Sequence, residues 1–328
     1  MRRAFRVVVP HYAGSPAKKT RRRGLNFSRV HINARLVLFT LTAAIGCGQP
    51  GSPAPGIEMG HLAERWYAGG PQCEGPPAFL VTSYNADFYI LRQPACTNFE
   101  KPFLYLIFGR KHALLLDSGA GNVDVVTPVD TLIRAWARAN GVADITLIVA
   151  HSHGHGDHVA GDSLFRLRPG TIVVGRDTTS VRTFFGIRNW PADTATFDLG
   201  GRVLDILPIP GHQAASIAVY DRRTGILLTG DTFYPGRLYV RDTADFARSI
   251  ERLAQFSRSH PVSHLLGAHV EQTTTPFKDY PMGTKDQPEE HGLDLTRAQL
   301  LELDSAVRAM RGRFTRTALR DLTIWPMP

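Results

Sequence analysis

The sequence predicts a layered α/β domain built on two sheets, and three observations carry that expectation. Short apolar runs rich in β-branched and aromatic residues recur through both halves of the 328-residue chain. Apolar residues at helical spacing appear only between those runs. Most runs end at Gly or Pro corners, so the chain turns back after each one. Strands that dominate each half, punctuated by helices, bury their apolar faces as stacked layers. Length alone would suggest about two domains and allows a large core.

Taken in order, residues 78–91 (AFLVTSYNADFYIL) read as strands, and FLYLIFG with HALLLDSG as a strand pair around Gly109–Lys111. Residues 127–140 carry Leu132, Ile133 and Trp136 at helical spacing, with Gly141 as the stop. DITLIVA (144–150) is a continuous apolar run, as expected of a buried strand. Runs at 171–175, 202–210, 216–221 and 225–231 read as further strands. Asp242 caps a helix through Phe256, on which Phe246, Ile250 and Leu253 share a face. SHLLGAH (263–269) is another buried strand, and Thr296 with Gln299 forms a capping box for a last helix.

The formal charge of +9 suggests a nucleic-acid partner until its distribution is read. Ten of the 38 Lys and Arg residues lie in 1–46, which hold no Asp or Glu. The remaining 28 face 29 acidic residues, leaving the body at −1 and without a basic patch to meet a phosphate backbone. The basic start, the apolar run LVLFTLTAAIG (36–46) and small residues before Cys47 have the order of a secretory leader. The run is too short to span a bilayer. Its end resembles a bacterial lipobox, which would make Cys47 a lipid anchor; Ala44, where Leu is usual, leaves ordinary cleavage nearby open. The expected organisation is a leader (1–47), a flexible Gly/Pro linker (48–60) and one folded domain (61–328), exported to the periplasm or tethered to its membrane. Export leaves Cys73 and Cys96 as an even pair in an oxidising compartment, either disulfide-bonded or as two buried thiols.

The chemistry concentrates in VAHSHGHGDHVAGD (149–162), four histidines and two aspartates in fourteen positions after a buried strand. His153, His155, Asp157 and His158 fall as H-x-H-x-D-H. Residues i and i+2 of an extended segment point the same way, so His153 and His155 can hold one cation. Asp157 and His158, past Gly156, can turn to a second, a donor mixture that suits Zn²⁺. His212, Asp231 and His269 each follow an apolar run beside a glycine and are the candidates to complete the sites.

In these motifs the sequence resembles the metallo-β-lactamase superfamily over roughly residues 78–275. Asp117 in LLLDSG, HSHGHGDH, His212, Asp231 and His269 come in that family's order. The resemblance implies an αββα sandwich with a dinuclear site at one edge. It implies His153, His155 and His212 on one metal, Asp157, His158 and His269 on the other, and Asp231 bridging them. Asp117 would hold the metal loop by hydrogen bonds, and His151 would stand behind the ligands. Two Zn²⁺ are expected, with iron or manganese left open. Two ions sharing a water lower its pKa from about 15.7 to about 7, giving hydroxide at neutral pH, and polarise a carbonyl. Asp157 or Asp231 would handle the proton.

Asp231, where β-lactamases of this fold usually carry Cys or Ser, points instead to hydrolysis of a carboxylic ester, lactone or thioester. Tyr234 stands three residues later, as a tyrosine does in many quorum-signal lactonases, where it faces the substrate carbonyl. Arg237 and Tyr239 are expected at the pocket rim, and residues 275–292, with His291, over the pocket. The partner is a small-molecule substrate, with no nucleic acid. The rival activities are β-lactam hydrolysis and iron-dependent redox chemistry of the persulfide dioxygenase kind.

Overall fold

The computed structural model describes residues 56–73 and 75–328. The expected leader with Cys47 lies outside them, as does most of the expected linker. Where the linker's last residues are described, they are not loose: Glu58 N donates to Arg223 O at 2.9 Å, and His61 N to Tyr84 O at 2.8 Å. Glu58 and His61 are thus tied to the sheets through their backbone.

The first sheet is laid down by β1 (Leu80–Asn85), β2 (Phe88–Arg92), β3 (Phe103–Phe108), β4 (His112–Leu116), β5 (Thr146–Ala150) and β6 (Thr171–Val173), paired in that order. Its first four strands form an antiparallel meander, and β4, β5 and β6 run parallel. Parallel strands need a crossover, and α1 (Val126–Asn140) supplies it between β4 and β5. Asp124 Oδ1 accepts from Val126 N and Thr127 N, both at 3.0 Å, and Gly141 ends the helix in the left-handed region. After β5 come two short helices, α2 (Gly156–Val159) and α3 (Asp162–Arg166), and after β6 comes α4 (Thr178–Phe185). The second sheet collects β7 (Ala195–Asp198), β8 (Val203–Pro208), β9 (Ile217–Asp221), β10 (Ile226–Gly230), β12 (His264–Gly267) and β13 (Asp294–Leu295). Between them lie β11 (Arg237–Val240) and α5 (Thr243–Ser259); α6 (Arg297–Ala309), β14 (Thr317–Ala318) and β15 (Thr323–Pro326) close the chain.

Strand alternation builds the layers. In β3, Phe103, Tyr105 and Ile107 enter the core between the sheets, where they meet Leu204, Ile206, Val219 and Leu228 of the second sheet. Leu104, Leu106 and Phe108 point the other way, onto Val129, Ile133 and Trp136 of α1. On the far side of the second sheet, Ala218, Tyr220, Leu227 and Leu265 pack on Phe246, Ile250 and Leu253 of α5 and Leu300 and Leu303 of α6. Helix, sheet, sheet and helix stack as the predicted αββα sandwich. Buried on both faces, β3 reads as an unbroken apolar run rather than an alternating one. Arg202, fully buried, ties the sheets together: it pairs with Asp221 at 2.6 Å and donates to Asp87 O and Phe108 O at 2.8 and 3.2 Å.

The capping residues are those expected. Asp242 accepts from Asp245 N, and Thr296 and Gln299 form the capping box. Cys73 and Cys96 are disulfide-bonded. What the residue pattern does not reveal is the small third sheet, in the order β11-β15-β14, and the eight-residue helix α4 with its Asp177 cap. The third sheet joins strands of four, two and four residues from distant parts of the chain, too short to carry a period of their own.

Candidate metal centre

Every residue expected at the centre sits just past the end of a strand, all at one edge of the sandwich. Asp117 follows β4, the histidine loop follows β5, His212 follows β8, Asp231 follows β10 and His269 follows β12. The buried parallel pair β4–β5 brings Asp117 beside the loop it holds. Asp117 adopts a left-handed backbone, φ 70°. Its Oδ1 accepts from Ser152 N at 2.7 Å, and its Oδ2 accepts from Ser152 Oγ and lies 2.9 Å from His158 Nδ1. His151 turns away, with Nε2 at 2.8 Å from Asp162 Oδ1, behind the cluster rather than in it. Gly230 lets the Asp231 turn pass: a Cβ there would lie 2.7 Å from Ser152 Cβ.

Two groups of donors result. His153, His155 and His212 form one, with His153 Nε2 and His212 Nε2 at 2.9 and 3.0 Å from His155 Nδ1. Asp157, His158, Asp231 and His269 form the other. There Asp157 Oδ2 lies 3.1 and 3.2 Å from Nε2 of His158 and His269. Asp231 stands between the groups. Its Oδ1 lies 3.5 and 3.3 Å from Nε2 of His158 and His269, and its Oδ2 lies 3.7 and 3.5 Å from Nε2 of His153 and His212. All seven expected donors are thus brought together, and all but His155 and Asp157 are buried.

The outward nitrogens are fixed first. His212 Nδ1 donates to Tyr239 O and His269 Nδ1 to Glu100 O, both at 2.8 Å, while His158 Nδ1 faces Asp117. A backbone carbonyl can only accept, so those Nδ1 atoms carry the hydrogen and Nε2 is left to face the cluster. Burial holds His153 well below the usual imidazole range, with His158 adding to it. Burial and then His212 push His155 down to about 4, and burial lowers His212. Neutral imidazoles meeting nitrogen to nitrogen have little to offer one another, but they are the ligand form of histidine. Burial alone would raise the carboxyls of Asp157 and Asp231. The imidazoles around them outweigh it and hold both well below the carboxylate range. Asp231 Oδ1 is moreover buried without a hydrogen-bond partner among the described residues. An ionised oxygen in that position is costly unless a cation meets it. The donor set therefore fits divalent cations.

The centre opens on a cavity of about 250 Å³, walled also by Glu100, Tyr234, Tyr239, Arg241, Glu271 and Met282. A smaller cavity of about 60 Å³ adjoins it, between Lys101, Arg237 and the 280–283 segment. Tyr239 lines both cavities, whereas Arg237, buried, lines only the smaller one. Of residues 275–292, Tyr280 to Gly283 and Gln287 line these cavities. His291 does not; its Nε2 faces Asp321 at 3.5 Å. The expected orientation of Tyr234 is corrected. Its ring is buried in the cavity wall, and its hydroxyl reaches Arg237 O and, at 3.1 Å, Glu271 Oε2 rather than the open space. Glu100, Arg241 and Glu271 carry no ligand spacing in the sequence. They reach the cavity only because their loops fold over it.

The family model described as the metallo-beta-lactamase superfamily matches residues 100–265, just over half of the chain and every expected centre residue but His269. A hydroxyacylglutathione hydrolase of Methylococcus capsulatus is 33% identical over 108 residues, covering 32% of this chain and 42% of that one. A hydroxyacylglutathione hydrolase of Anaeromyxobacter dehalogenans is 32% identical over 146 residues, covering 44% and 55%. The chain thus spans about half the length of the curated relatives it matches. Among solved structures, a metallo-beta-lactamase from Pontibacter korlensis superposes with a TM-score of 0.46 at 16% identity, covering 70% of this chain and 99% of that one.

Proposed function

Because the chain belongs to the metallo-β-lactamase superfamily, we propose that it is a metal-dependent hydrolase of a small-molecule carboxylic ester, lactone or thioester, with two divalent cations, zinc by preference, in the centre described above. The observation that carries this reading is Asp231, which turns one oxygen to each group of imidazoles. His153, His155 and His212 would hold one cation; Asp157, His158 and His269 the other; Asp231 would bridge. When bound, the cations supply Lewis acidity and a water acidic enough to react near neutral pH. The protein's own part is orientation and proton handling. Asp117, Tyr239 O and Glu100 O aim the imidazoles through their Nδ1 atoms. Asp157, the more exposed of the two aspartates, faces the cavity and would take up the proton that the attacking water gives up. Tyr234 and Glu271 hold the cavity wall through Arg237. The relatives named hydroxyacylglutathione hydrolase put thioesters first among the substrates to try. The Cys73–Cys96 disulfide supports an oxidising compartment, hence export.

Acid release with a pH indicator tests the reading on zinc-loaded protein, since esters, lactones, thioesters and β-lactams all yield a carboxylic acid. Turnover of an ester, lactone or thioester outpacing that of β-lactams is the expected result. Silence across the panel with zinc bound would overturn it.

Two further outcomes follow from the residues. Tyr234→Phe should lower kcat less than tenfold and cost about 1 kcal/mol of stability, the worth of one hydrogen bond; urea denaturation beside steady-state kinetics checks both. Zinc uptake should release protons. Burial opposes charge on His158 and His269, but Asp231 and the other facing aspartates overcome it, raising His158 and pushing His269 up to about 9. A raised histidine keeps its proton below that pH and must lose it to bind metal. Affinity should therefore climb as pH rises from 6 toward about 9. Calorimetry in buffers of different ionisation enthalpy would show it, and pH-independent uptake would contradict it.

A further inference from the structure

We propose that the cavity is shaped for a substrate charged at both ends: Arg241 takes an anionic group on the His155/His212 side, and Glu100 takes a cationic group on the His269 side, with the scissile carbonyl between them. The inference rests on the hydrolase reading for the position of that carbonyl.

The argument begins with which charges in the cavity wall are already committed. Of its four carboxylates, Asp157 and Asp231 face imidazoles at 3.1 to 3.7 Å. Glu271 accepts from Arg237 N at 2.7 Å and Tyr234 Oη at 3.1 Å, and pairs with Arg237 Nη1 at 3.1 Å. Glu100 alone is bonded only through its backbone: its N donates to Asn98 Oδ1, and its carbonyl accepts from His269. Its side chain has no hydrogen-bond or ion-pair partner among the described residues. The guanidinium groups divide in the same way. Arg237 is tied to Glu271, to Asp279 at 3.3 Å and to Tyr280 O. Arg241 is exposed, lines the larger cavity and has no side-chain partner among the described residues.

The two uncommitted charges stand at opposite ends of the centre. Arg241 N donates to Gly211 O at 2.9 Å, which seats it beside His212, and its charge reaches His155. Glu100 O accepts from His269 Nδ1 at 2.8 Å, which seats it on the His269 side; its charge reaches His269 and Asp157, and beyond them Glu271 and Asp231. One anion-binding and one cation-binding group, held by backbone bonds to either end of the donor set, give the cavity a polarity along the line of the two metal groups. A substrate with one charge would leave one of them unmatched. A depsipeptide with a free ammonium on its acyl side and a free carboxylate on its alcohol side matches both.

The test uses full-length zinc-loaded protein and a non-hydrolysable probe, a ketomethylene pseudodipeptide. Four forms are titrated calorimetrically: both ends free, amine acetylated, carboxylate amidated, and both ends blocked. Each free end should tighten binding about tenfold, the worth of one charge-assisted contact of about 1.4 kcal/mol. Arg241→Gln should abolish the preference for the free carboxylate and keep that for the amine, and Glu100→Gln the reverse. Equal affinities for the four forms in the wild type overturn the proposal, as does failure of the doubly free form to bind. A uniform loss for all four in both variants also overturns it, because groups that merely balance metal charge would act that way. Turnover of the doubly free depsipeptide ester, with uncharged esters, lactones and thioesters, is read separately. Silence with all of them beside end-dependent binding would sink the hydrolase reading alone; turnover beside end-independent binding would sink this inference alone.

Discussion

With two zinc ions bound as proposed, Asp231→Asn should cut hydrolysis by at least about 100-fold and reduce zinc retained after dialysis from two equivalents toward one. The amide keeps the shape of the side chain but replaces one ligand oxygen by a nitrogen with no lone pair to give, and removes the negative charge. In the wild type each Asp231 oxygen faces one imidazole group, so the substitution breaks a link common to both. Loss of a residue that merely supports a ligand already costs about 10- to 100-fold in affinity or activity, and loss of a shared ligand should exceed that. The same change removes the carboxylate that helps hold protons on His158 and His269. Metal analysis and acid-release kinetics on one preparation give both numbers. Full turnover with two zinc ions retained would show that Asp231 is not the bridge.

The second large effect is expected at a residue that is assigned to neither cation. Asp117→Ala should destabilise the fold by about 3–5 kcal/mol, as removal of one member of a buried ionic network does, and weaken zinc binding about 10- to 100-fold. Asp117 is 1% exposed and takes Ser152 N, Ser152 Oγ and His158 Nδ1. Without it a buried backbone N–H is orphaned, and His158 loses the partner that sets its ring. Asp117→Asn separates the two effects. Its amide oxygen can still accept from Ser152 N, so stability should recover in part. The amide cannot match a carboxylate as a partner for His158, so zinc affinity should not. Chemical denaturation and zinc competition with a chelator check the pair; a variant with wild-type affinity would remove Asp117 from the support of the centre.

The donors were legible in the sequence because they are local. His153, His155, Asp157 and His158 occupy six positions after one buried strand, and short-range spacing survives folding. His212, Asp231 and His269 were legible for a related reason: each follows an apolar run at a glycine-marked corner. The cavity wall was not. Glu100 lies between β2 and β3, Arg241 after β11, and Met282 in a long connection, so none has a neighbour in sequence that marks its role. Tyr234 shows the limit most plainly. Its position three residues after Asp231 was readable, but the direction of its hydroxyl depends on Arg237 O and on Glu271, 37 residues away.

By itself, then, the sequence determined two layered sheets and the capped helices and marked seven candidate donors, because strand and helix periods and motif spacing are properties of adjacent residues; the αββα order and the division of the donors came with the family resemblance. Tertiary structure alone decided which Asp231 oxygen turns to which group, that Asp117 acts through Ser152 and His158, and which charges in the cavity lack a partner among the described residues. Those are matters of distance between segments far apart in the chain, which no local pattern encodes. They follow from how the buried faces of two sheets bring the strand ends to one edge.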